Sequence, residues 1–318
     1  MNGATKKAHS VLESGAWGKF VAGGLVAAYA LITLIPLLWI LSTSFKSPPD
    51  SISYPPKVVF EPTLEGYVNL FTNRSRQTKD YIESLGPATT WYDKIVRKRN
   101  MVITGPSKFF DRYMNSIIIG FGSTFLAVFL GTLAAYGFSR FKVPLKDDLL
   151  FFILSTRMMP PIAVAIPIYL MYRTIGLSDT ALGMILLYTA VNVSLSVWLL
   201  KGFMDEIPRE YEEAAVVDGY TRLQAFWKVV LPQARAGIAA TAIFCLIFAW
   251  NEYAFALLLT SGSAQTAPPF IPIIIGEGGF DWPAVAAGTT LFLLPIVIFT
   301  IFLRNQLLRG ITFGAVRR

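Results

Sequence analysis

The chain is poor in the residues from which most soluble catalysts are built. Among its 318 residues there is one cysteine, Cys245, and one histidine, His9. A single cysteine excludes an intrachain disulfide, and Cys245 lies in an apolar stretch with no basic neighbour to activate it. A lone histidine in a polar tail excludes a His-based metal site and a Ser-His-Asp triad. Charge is also scarce, at 15% of residues against about a quarter in soluble domains. No G-x-x-x-x-G-K-[ST] run occurs, so the chain has no P-loop for ATP.

What fills the space is hydrocarbon. Hydrophobic residues make up 54% of the chain, and the mean hydropathy is +0.52. That composition belongs to a polytopic membrane protein. A spanning helix needs ~20 mostly apolar residues. Residues 20–45, 113–139, 180–200 and 282–303 are uncharged, 149–172 carry only Arg157, and 236–259 carry only Glu252. The expected fold is therefore all-α, with six transmembrane helices. The first stretch is too long for the apolar region of a signal peptide, and 40–45 holds no A-x-A-like cleavage site, so it reads as a retained helix.

Lysine and arginine orient the spans. Lys6, Lys7 and Lys19, the cluster Arg140, Lys142 and Lys146, five residues between Lys201 and Arg235, and Arg304, Arg309, Arg317 and Arg318 fall on one side. The short loops of the other side hold only Arg173. Both termini are thus expected in the cytoplasm. The net charge of +8 follows from these flanks and calls for no nucleic acid. The reading gives a cytoplasmic tail over 1–19, a first helix over 20–45, an external loop over 46–112, a core over 113–305 and a second cytoplasmic tail over 306–318. The external loop carries eleven basic residues, which long loops tolerate because they translocate largely regardless of charge. It opens on Pro48-Pro49 and Pro55-Pro56, which favour extended chain, and continues polar and aromatic with Tyr81, Trp91 and Tyr92. It reads as a solvated outer cap that also offers a docking surface.

The polar stretch 206–232, flanked by apolar spans, carries the most information. Pro208 suits the first turn of a helix, Glu210, Glu212 and Glu213 suit the positive end of its dipole, and Gly219 suits a left-handed stop. These predict a short helix over 208–218. Thr221 and Gln224 have capping-box spacing and start a second helix, with Leu223, Phe226 and Val230 as its apolar stripe and Pro232 ending it or bending it into the fifth span.

The run Glu213-Ala214-Ala215-x3-Gly219-x9-Val229-x-Leu231-Pro232 resembles the EAA loop of bacterial ABC importer permeases. Further motifs resemble the carbohydrate, maltose-type (MalG-like) group. They are Asn115-Ser116, Ala134 to Phe141, Arg157-Met158-Met159-Pro160-Pro161, Ile166 to Tyr169, Gly176 to Thr180 and Trp250-Asn251-Glu252-Tyr253. The likeness covers about 110–318 well and the first span loosely, and about 74–105 looks like an insertion relative to compact members. The resemblance implies a type I importer permease in the bacterial cytoplasmic (inner) membrane. It implies two ABC ATPase subunits, a second permease in a heterodimer, an external solute-binding protein and surrounding membrane lipid. The chain would bind no cofactor itself, ATP and Mg being used by the ATPase subunits. ATPase coupling would fall on Glu212, Glu213, Ala214, Ala215, Asp218, Gly219, Leu231 and Pro232.

Polar residues inside spans are rare, and they mark either packing or a solute path. Pro160-Pro161 should break the third span and free backbone carbonyls, which Arg157 is expected to satisfy in preference to contacting solute. Asn192 is expected to bond between helices. Asn251, Glu252 and Tyr253 are further candidates, and a direct Arg157–Glu252 ion pair is disfavoured because the two sit at different estimated depths. A proton- or sodium-driven carrier would need several intramembrane acids, and only Glu252 is present. A membrane enzyme would need clustered histidines or carboxylates, which are absent. A permease for a non-carbohydrate solute stays open within the same mechanism.

Overall fold

A computed structural model describes residues 16–276 and 279–313. The tail positions His9, Lys6, Lys7, Arg317 and Arg318 lie outside these residues, and the side chains of Arg304 and Arg309 are not described. Helix α1 (Ala16–Ser44) is apolar and exposed over most of its length, packing on the last helix of the bundle and, at its end, on the segment that follows, where Ser44 is buried and bonds the Tyr67 hydroxyl at 3.0 Å. Its exposed Leu25, Tyr29 and Ile32 belong against lipid or another subunit.

The segment after α1 is a small folded cap. Pro48-Pro49 opens a short helix, α2 (Pro48–Ser51), instead of extended chain. Ser47 caps it, and proline is well placed in a first helical turn because its missing N–H has no partner there. Helix α3 (Glu65–Phe71) leads into β1 (Thr72–Arg76), and α4 (Lys79–Ser84) and α5 (Trp91–Arg97) follow before β2 (Met101–Pro106). The two strands pair antiparallel from Thr72 opposite Pro106 to Arg76 opposite Met101. This stretch is thus a unit closed at its base by the two paired strands. Val68, Val96 and Met101 form its core, and Arg99 holds Glu65 through two bonds of 3.1 and 3.3 Å. Arg74 pairs with Asp281 at 3.0 Å, and Asn69 donates to the same carboxylate at 2.9 Å.

The bundle begins with α6 (Phe109–Arg140). The third span is a broken pair, α7 (Lys146–Ser155) and α8 (Pro161–Ile175), bent by 93° across the turn Thr156–Met158 and Pro160. The apolar run over 149–172 is therefore two helices, broken as expected at the two prolines, which lack N–H donors. Helix α9 (Ala181–Glu206) lies against α6. A Cβ on Gly131 would stand 2.3 Å from that of Ser196, so only glycine permits this approach. After α9 come α10 (Glu210–Val217), α11 (Arg222–Ala225), a π-helical turn (Phe226–Val230) and α12 (Leu231–Trp250).

The fifth span ends at Trp250, not at 259 as expected from hydropathy. Residues 251–253 break it and α13 (Ala254–Leu259) follows as a separate helix, because the Glu252 carboxylate takes the Phe255 and Ala256 N–H groups at 2.8 and 3.0 Å. Helix α14 (Ala267–Phe270) precedes a two-residue ribbon, β3 (Ile275–Gly276) with β4 (Gly279–Phe280), and α15 (Trp282–Phe313) completes the bundle.

Asp179 clasps the α13–α14 connection on the side bearing the cap. Its carboxylate accepts the N–H groups of Ser261 and Ala264 at 3.2 Å and Ser263 at 2.9 Å. Burial opposes ionisation of Asp179, but these backbone donors, Gly262 included, outweigh it and hold the carboxyl below its ordinary range. From α6, Arg112 donates to the Gly262 carbonyl, and Asn115 donates to Ser263 and Gln265 at 2.6 and 2.9 Å.

Candidate functional site: the polar insert and the intramembrane cavity

The insert over 206–232 folds as two short helices around a glycine turn. Helix α10 starts at Glu210, two residues later than expected, with the Arg209 carbonyl accepting from Glu212 and Glu213. It ends in a Schellman turn. Tyr220 N–H bonds Ala215 O and Gly219 N–H bonds Val216 O, both at 3.0 Å, with Gly219 at φ +89°. Thr221 and Gln224 form both halves of the capping box, at 2.8 and 3.2 Å.

Beyond it the helix does not stop at Pro232. The chain winds one π turn, and Leu231 N–H reaches back five residues to Phe226 O. Proline then occupies the first turn of α12, where the π turn has already absorbed the lost donor. Phe226 and Val230 face inward at 2% and 0% exposure, but Leu223 is 67% exposed and Ala225 takes the inward place. The wider turn advances the register, so the stripe read from a 3.6-residue period does not hold there.

One carboxylate ties the insert to the spans. Glu212 accepts from Arg140 Nε and from the Tyr136 hydroxyl, the latter at 3.0 Å, both near the end of α6. Arg140 also donates to the Met204 and Ile207 carbonyls at 2.9 Å, binding the end of α9. Arg209 donates to Ser139 O at 2.7 Å. A rigid block of α6, α9 and α10 results. Glu213, Ala214, Asp218 and Gly219 face outward, beside exposed Val217, Tyr220 and Leu223. Ala215 is buried at 5%, so its small size serves packing within the chain instead of approach from outside. Leu231 packs partly buried against the inner cluster, and Pro232 is exposed. Sequence reasoning missed Tyr136, Arg140 and Arg209 as anchors. The run Ala134 to Phe141 held the only signal.

Within the bundle, the bend between α7 and α8 opens a cavity of about 420 Å³ toward α9, α12 and α13. Arg157, Asn192 and Glu252 all line it. Asn251 bonds Ile247 of its own helix at 2.8 Å and, like Tyr253, lies off this wall. Arg157 does not satisfy the carbonyls freed by the prolines. It donates to Val191 O of α9 at 3.5 Å, and its guanidinium lies 4.0 Å over the Phe248 ring. Asn192 donates to Cys245 O at 3.3 Å, joining α9 to α12 as expected. No ion pair joins Arg157 to Glu252, whose carboxylate also accepts from the Tyr188 hydroxyl at 2.6 Å.

The family described as binding-protein-dependent transport system inner membrane component matches residues 127–312, which takes in the insert and both walls of the cavity. The chain belongs to this family. The permease is 33% identical over 296 residues to the trehalose transport system permease protein SugB of Mycobacterium tuberculosis (strain CDC 1551 / Oshkosh), covering 92% of this chain and 94% of that protein. It is 28% identical over 291 residues to the trehalose/maltose transport system permease protein MalG of Thermococcus litoralis (strain ATCC 51850 / DSM 5473 / JCM 8560 / NS-C), with 91% and 93% covered. Its fold matches a chain of a bacterial ABC transporter for the acidic polysaccharide alginate, with TM-score 0.66, 21% identity and 90% and 95% coverage. The permease is therefore an inner-membrane, multi-pass component of a binding-protein-dependent system with a type I importer fold.

Proposed function

We propose that this permease forms half of the translocation pathway of an ATP-driven importer for a carbohydrate, a class that takes in sugars, oligosaccharides, glycosides and sugar alcohols. The carbohydrate class rests on the relatives named for trehalose and maltose, which match almost end to end. The observation that carries the mechanism is the Glu212 anchor. Helix α10 is locked to the ends of α6 and α9 and bares its opposite face, so a force on α10 moves two spans as one body. An ATPase subunit seated on Glu213, Ala214, Asp218 and Gly219 would exert that force as it binds and hydrolyses ATP with Mg. Two such subunits, a second permease in a heterodimer and an external solute-binding protein complete the proposed assembly. In this orientation the insert and both termini are cytoplasmic, and the hairpin cap is external, where it offers a surface to the binding protein.

The test is gentle purification from native membranes, with mass spectrometry of co-eluting chains and an ATP hydrolysis assay. A P-loop ATPase, a second permease and a secreted binding protein are expected. A chain that elutes alone even after cross-linking would overturn the proposal.

A further inference from the structure

The cavity at the bend of the third span holds two charges that are not equally served. The Glu252 carboxylate receives three donors, from Tyr188, Phe255 and Ala256, at 2.6, 2.8 and 3.0 Å. The Arg157 guanidinium has five N–H donors and uses one, in a single long bond, with its face over the Phe248 ring at 4.0 Å. No carboxylate pairs with it among the described residues. An intramembrane cation is costly, and one left unpaired ordinarily faces a wet cavity or an incoming partner. A second orphan lies on the same wall. Asn192 is 2% exposed, and its Oδ1 accepts nothing. A buried amide oxygen without a donor costs about 1–3 kcal/mol, so something is expected to fill it.

The two orphans have complementary chemistry. A planar guanidinium with free donors matches an oxyanion such as a carboxylate or a sulfonate. A free amide oxygen matches a hydroxyl. A molecule bearing both, an acidic sugar, satisfies both at once. A neutral sugar would supply hydroxyls and leave the guanidinium charge unpaired. We propose that this cavity is a solute site on the translocation path and that it selects an anionic carbohydrate, with Arg157 taking the acid group and Asn192 a hydroxyl. The inference rests on the importer reading above and narrows its substrate class.

The test uses the assembled transporter in proteoliposomes, with Ala190→Cys as a reporter on the cavity wall and Thr156→Cys as a second should the first fail to assemble. Cys245 is fully buried, so the unmodified chain is the blank. The reporter is reacted with an anionic and a cationic thiosulfonate of matched size, each rate normalised to that on a free thiol. A preference for the anion of roughly 10-fold is expected, because Ala190 adjoins Val191, whose carbonyl binds Arg157, and Thr156 adjoins Arg157 itself, while the opposing Glu252 charge is already held by three donors. Arg157→Gln should remove the preference and Arg157→Lys should keep it. Equal rates, or a preference for the cation, would overturn the inference. The carbohydrate released on denaturing the co-purified binding protein gives an independent readout. An acidic sugar supports the inference and a neutral one sinks it. ATP hydrolysis stimulated by the loaded binding protein is measured on the same vesicles. Its absence from the unmodified transporter would remove the importer reading, whereas normal hydrolysis without anion preference would remove only the charge selectivity.

Discussion

Two polar regions flank the same bundle and are held in opposite ways. The hairpin cap has its own small core and is tied down by Arg99–Glu65 and Arg74–Asp281. The polar insert shares its core with the ends of the spans through Phe226 and Val230, is fixed through Glu212 and Arg209, and leaves the rest of α10 bare. A cap that is tied at several points can lose a part and stay in place. A lever tied at one end and free on the other transmits whatever docks on it. Adjacent residues show the contrast most sharply. Glu212 faces the spans and Glu213 faces out, because successive helical positions lie about 100° apart.

The largest effect is expected at the turn. Gly219→Pro demands φ near about −65° where the chain sits at +89°, so the Schellman turn cannot form. Uptake should fall to background, and the ATPase should not co-purify, while the protein still reaches the membrane. Normal uptake by this variant would remove the lever from the mechanism. Next comes the neighbouring pair. Glu212→Gln leaves the buried Arg140 without its carboxylate and should cost about 3 kcal/mol, read by thermal unfolding in detergent. Glu213→Gln, on the open face, should stay within about 0.5 kcal/mol of the parent yet lower coupled ATP hydrolysis. If the two swap signatures, the inward and outward assignments are reversed.

A smaller effect is expected from the cap. Because Arg76 and Met101 are paired, residues 77–100 can be replaced by a two-residue turn. ATPase association should be unchanged and binding-protein affinity reduced. Loss of the ATPase would place the cap and the insert on the same side of the membrane and end the contrast. The smallest effect is at Asp179. Its carboxyl is depressed in the folded chain, so its clasp contributes fully above the ordinary carboxylate value of 3.8 and is lost as pH falls through the lower folded value. Amide exchange at Ser261–Ala264 should rise in that acidic window. Asp179→Asn should show the raised exchange already at neutral pH and flatten the response.

Much of this was legible from residue order. The positions of the spans follow from apolar run length, and the break near Pro160-Pro161 from the missing N–H donors. The glycine turn and the capping box were local patterns, and both appear as read. Three features were not legible. The end of the fifth span at Trp250 depends on the Glu252 side chain bonding backbone three and four residues on, which hydropathy does not register. The π turn that carries the helix past Pro232 depends on packing of Phe226 and Val230 against the ends of α6 and α9. The anchoring of Glu212 depends on Arg140, a residue 72 positions away.

By itself, then, the sequence determined the number of spans, the chemistry of the insert and the family, because these depend on local composition and short-range spacing. Only the tertiary structure decided which glutamate is anchored and which is free, and that Arg157, Asn192 and Glu252 share one cavity. Those outcomes turn on the 93° bend of the third span and on the ends of α6 and α9 meeting α10. They join residues far apart in the chain, whose distances no local pattern encodes.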